Sequence, residues 1–121
     1  MVSTDYVAMM ARYNAWQNEG VIAVLDSMDD AALRADRGAF FGSILATLNH
    51  VLWADRMWMS RLVGWQRPKG GIDESVKLAP TFAAWKAERR RVDGRLIHWA
   101  DGLRPIHLRG DLTWHSGATG A

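Results

Sequence analysis

The chain has 121 residues, 49% hydrophobic and 23% charged, enough for one domain whose core needs neither disulfides nor a structural metal. It has no cysteine. That excludes thiolate catalysis, iron–sulfur clusters, cysteine zinc sites and redox switching, and leaves histidine and carboxylate as the strong metal ligands.

The formal charge of +2 is unevenly spread: residues 1–38 carry three basic and six acidic side chains, the remainder twelve and seven. Met1 to Tyr6 hold Asp5 and no basic region, so no secretory signal is expected and the cytoplasm is the default. Charged residues or histidine interrupt every apolar stretch, so no membrane span is expected.

The first helix is predicted from Ser3 or Thr4, either of which caps it, to about Met28. Tyr6, Met9, Tyr13, Trp16 and Gly20 recur at helical spacing and form its predicted packing stripe. Asp29 and Asp30 then introduce a brief segment over Ala31 to Ala35. The second long helix is predicted from near Ser43 to Val63, stopped by Gly64 in the left-handed conformation. Leu45, Leu48, Leu52, Asp55, Met59 and Leu62 share one of its faces, and Ala46, His50, Ala54 and Met57 the opposing one. Both faces read as buried, so Asp55 and His50 each need a partner.

Residues 65–80 hold Pro68, Gly70, Gly71 and Pro80 without helical period and read as a loop. Thr81 caps a third long helix with the stripe Phe82, Trp85, Arg89, Val92, Leu96 and Trp99, while Lys86, Glu88, Arg90, Arg91, Asp93 and Arg95 fall mostly on its solvated face. From Ile106 to Trp114 apolar and polar residues alternate, which predicts a strand.

Tyr13-Asn14-Ala15-Trp16-Gln17-Asn18-Glu19 and the run Arg37-Gly38-Ala39-Phe40-Phe41-Gly42-Ser43-Ile44-Leu45, continued by Leu48-Asn49-His50 and Ala54-Asp55-Arg56-Met57-Trp58, resemble the DinB-like family. These are damage-inducible, metal-dependent proteins and not the DNA polymerase of that name. Arg95-Leu96-Ile97 and Leu112-Thr113-Trp114 extend the resemblance over nearly the whole chain. It implies an all-α, up-down-down-up four-helix bundle holding a divalent metal, nickel, zinc or iron, through three histidines. His50 matches the ligand on the second helix. The other two belong to a His-x-x-x-His segment on a fourth helix that this sequence does not contain, so the expectation is a single domain over residues 1–121, truncated before that helix, with a short C-terminal strand.

His50 is therefore the candidate metal ligand, weighed against a core histidine bonded to a carbonyl or carboxylate. His98 lies with Arg91 and Arg95 on a charged face. His107 and His115, eight residues apart on one predicted strand, stand about 26 Å from each other, too far to share a metal. Asp55 reads as a general base, as the partner of a metal ligand, or as a carboxylate paired with Arg56, Arg61 or Arg89. Of the seven tryptophans, Trp16, Trp53, Trp58, Trp85 and Trp99 fall on helices and are expected in the core or an interface. Neither a nucleophilic triad nor a phosphate-binding glycine motif is legible.

Three functional classes follow. The first is a DinB-like helical protein with an incomplete metal site and no catalysis of its own. The second is a metal-dependent hydrolase or thiol transferase acting on a small molecule, its site completed by another chain. The third and least favoured is a nucleic-acid module using Lys86 to Arg95, where Glu88 and Asp93 interrupt the basic run. Aromatic stripes and the predicted strand edge also point to a homodimer.

Overall fold

Ser3 caps the first helix: its hydroxyl accepts the Tyr6 amide hydrogen at 3.1 Å, and helix α1 runs Thr4–Leu25. It ends three residues short of the predicted Met28, where the Ser27 hydroxyl donates to the carbonyl oxygen of Val24 and breaks the helical pattern. Helix α2 covers Asp30–Arg34, with the Arg34 guanidinium on the Asp30 carboxylate one turn earlier. Ser43 caps α3, Ile44–Val63, by accepting from Ala46, and Gly64 closes it at φ 75°, as predicted. Thr81 likewise caps α5, Phe82–Asp101, by accepting from Ala84. The computed structural model describes residues 2–109, and these are all-α.

Two local expectations are corrected. Within the predicted 65–80 loop lies a one-turn helix, α4, over Ile72–Ser75, started by Glu74 accepting the Gly71 amide hydrogen at 2.9 Å. Where the strand was to begin, Pro105–Leu108 form a 3-10 helix. Pro105 fixes φ at a helix-compatible value, and the Arg104 amide donates to Nδ1 of His107, so local bonds override the alternating pattern. The rest of that predicted strand, and His115, lie outside the described residues.

The chain divides into two compact units. One contains α1 with α5 from Lys86 onward. Here Arg12 meets Asp101 through two 2.7 Å bonds, Asn18 meets Asp93, Glu19 meets Arg90 and Asp26 meets Lys86. The partners run in opposite order along the two helices, which makes them antiparallel and fixes their register. The paired guanidiniums hold the Asp101 and Glu19 carboxyls below their ordinary values, chiefly by hydrogen bonding.

The inward line of α1 is Val7, Ala11, Asn14, Asn18, Ile22 and Leu25, not the aromatic stripe. Tyr6, Met9, Tyr13 and Trp16 are exposed, Trp16 to 71%. The reason lies on α5, where Asp93 is buried rather than solvated and takes hydrogen bonds from Asn14, Asn18 and Arg89. An aromatic face turned to that carboxylate would leave its acceptors unsatisfied.

The other unit, Asp30–Trp85, has α3 at its centre, in contact with α2 and α4. Leu45, Leu52, Trp53, Met57 and Met59 are buried, so both predicted faces of α3 are core, while Leu62 near its end is exposed. Asn49, 1% exposed, holds the chain that follows α4: its amide donates to the carbonyl oxygens of Val76 and Ala79 and its oxygen accepts from the Ala79 amide. The Trp85 indole donates to the carbonyl oxygen of Leu48, and Arg34 donates to that of Pro80.

Candidate functional site

Residues 37–42 form a tight turn in which the Arg37 amide donates to Gly42 and the Gly42 amide to Ala39. Gly42 adopts φ 90°, which a residue with a Cβ rarely accepts. The turn delivers Phe41 onto the half-buried His50 ring, with centroids 4.1 Å apart and planes 25° from parallel. Trp53, one turn further along α3, lies nearly parallel to His50 at 5.8 Å. From α4, the Ser75 hydroxyl reaches Nδ1 of His50 at 2.8 Å and itself donates to the Ile72 carbonyl oxygen. His50 thus packs against two aromatic rings and is tied at one nitrogen, which leaves Nε2 as its other hydrogen-bonding or ligating atom.

Next to it, the buried indole nitrogen of Trp53 finds no acceptor among the described residues. An unsatisfied buried donor costs about 1–3 kcal/mol.

A neutral imidazole fits one coordination position of nickel, zinc or iron, and a protein site needs three or four donors. Among the described residues no group of three His, Cys, Asp or Glu is gathered. His50 therefore fits a single ligand position, and the described residues do not complete a centre around it. His98 is exposed on α5, and His107 spends Nδ1 on the Arg104 amide. Asp55 is half-buried on α3 and engaged. Arg89, one of its expected partners, also bonds Asp93, through Nε at 3.0 Å and Nη2 at 2.8 Å.

Ser75 and Trp53 escape the sequence as partners of His50. Ser75 sits in the helical turn that two glycines conceal, although the i, i+3 spacing of His50 and Trp53 places those two on one helix face. The tryptophan expectation divides: Trp53 and Trp85 are buried, whereas Trp16 and Trp58 are exposed. The basic run on α5 is largely neutralised, with Lys86, Arg89, Arg90 and Arg91 each paired to a carboxylate.

No helix among the described residues is long and apolar enough to cross a membrane. No curated protein and no solved structure matches the chain. The family model described as "DinB family" matches residues 1–120, in line with the resemblance carried by the motifs around Asn14 and His50. The all-α architecture agrees with that match, and the chain belongs to the DinB family.

Proposed function

We propose that this chain is a DinB-family helical protein that contributes one imidazole, Nε2 of His50, to a divalent metal, leaves the site incomplete, and has no catalysis of its own. The observation that carries this reading is the tie between His50 Nδ1 and Ser75, which occupies one ring nitrogen and reserves the other.

Self-association through the exposed α1 residues Tyr6, Met9, Tyr13 and Trp16 belongs to the same reading. Two copies contribute two His50 rings, still short of the three donors a protein metal site needs. The competing reading, a metal-dependent hydrolase or thiol transferase, requires another chain to supply the missing ligands.

Titration with zinc chloride, followed by the side-chain resonances of His50, tests the proposal. Weak binding that moves the His50 signals and vanishes in His50→Ala is expected. Zinc binding that bypasses His50, or none at all, would contradict it.

A further inference from the structure

We infer that Ser75 is a positioning residue that fixes His50 in its Nδ1–H tautomer and makes Nε2 the only lone pair the ring can offer. Ser75 is fully buried, and its oxygen lies 2.8 Å from His50 Nδ1 and 2.5 Å from the carbonyl oxygen of Ile72. A serine hydroxyl has one hydrogen, and a carbonyl oxygen only accepts. That hydrogen therefore goes to Ile72, and Ser75 meets Nδ1 with a lone pair. A lone pair facing a bare ring nitrogen repels it, so Nδ1 carries the proton. The reverse arrangement, with Ser75 donating to Nδ1, would press two oxygens together at 2.5 Å with no hydrogen between them.

The surroundings hold this choice in place. Phe41 stacks on the ring, and a half-turn of the imidazole would put a carbon where Nδ1 now meets Ser75. Ser75 sits on α4, which packs on α3, the helix that carries His50. A histidine free in water prefers the opposite tautomer, with its proton on Nε2 and its lone pair on Nδ1, so the fold reverses the default. Outer partners of this type orient a ligating histidine and raise its basicity, and their loss lowers metal affinity about 10- to 100-fold. The positioning role rests on the reading of His50 as a ligand, whereas the tautomer is a property of the chain itself.

Long-range proton–nitrogen correlation spectra of the full chain labelled with nitrogen-15 histidine, taken where imidazole is neutral, test the inference. The expected spectrum has a protonated Nδ1 and a bare Nε2 at His50. Ser75→Ala should shift His50 towards the Nε2–H form while His98 stays unchanged, and Ser75→Thr, which keeps the hydroxyl, should restore the original pattern. An Nε2–H form in the unaltered chain would overturn the inference whether or not the variants fold. So would an unmoved Nδ1–H form in a folded Ser75→Ala protein. Adding zinc chloride separates the two claims. A moved Nε2 signal, weakened about tenfold or more in affinity by Ser75→Ala, supports the positioning role. An unmoved signal over a confirmed Nδ1–H tautomer contradicts the ligand reading and Ser75's role in it, while the tautomer assignment stands.

Discussion

Three buried residues carry most of the weight at the scale of single side chains. Leu52 is fully enclosed on α3, so Leu52→Ala should cost about 2–5 kcal/mol, because the packed surroundings cannot close over the missing methyl groups. Leu48, half-buried on the same helix, should cost less; urea unfolding of both variants gives the order. Arg89 and Asp93 form an ion pair with both side chains almost out of water. Asp93→Ala removes the carboxylate that accepts from the buried Arg89 and from Asn14 and Asn18, and should cost about 3–5 kcal/mol, whereas replacing both Arg89 and Asp93 by apolar residues of similar size should cost far less. A double-mutant cycle measured by denaturant unfolding reads that difference. If Asp93→Ala cost no more than the loss of an exposed partner such as Asp101, Asp93 would not be the enclosed centre of its unit.

Individual helices show how far local chemistry reaches. Capping was legible because its physics is short-ranged: Ser3, Ser43, Thr81 and Gly64 do what their residue types predict. Gly64 is left-handed with open space around it, so Gly64→Ala should destabilise the end of α3 by about 1–2 kcal/mol through backbone strain alone. Thermal unfolding checks this. The face of α1 was not legible, because two stripes at helical spacing compete along it. The choice between them depends on Asp93, 75 and 79 residues away, which needs Asn18 and Asn14 as partners.

The pairing of α1 with α5 also sets a pH dependence. Asp101 and Glu19 have carboxyl pKa values lowered by Arg12 and Arg90. The stability they add is therefore fully present above the ordinary carboxylate range and is lost as pH falls through their folded values. Asp101→Asn should lower stability slightly at neutral pH, where the pair is fully charged, and the difference from the unaltered chain should close below about pH 4, which flattens the acid side of the stability curve. An acid limb of the same steepness in the variant would show that the Arg12 pair does not contribute.

At the scale of the whole molecule, the family and the all-α class were readable from motifs spanning the sequence, and the family match bears both out. The surroundings of His50 were only half readable. Its identity and its helix came from sequence, but Ser75 and Phe41 reach it from a one-turn helix and a glycine-closed turn that periodicity does not register. If α1 mediates self-association, sedimentation at tens of micromolar should show a dimer that Trp16→Glu dissociates, and a monomer under those conditions removes that part of the proposal.

The most direct test of the central claim, that the chain brings a single metal donor, is the metal content of the purified and dialysed protein measured by elemental mass spectrometry. The account predicts nickel, zinc and iron together well below one atom per chain, with little difference in His50→Ala. A content near one atom per chain that disappears in His50→Ala would contradict it, and would turn the reading towards a completed, metal-dependent enzyme.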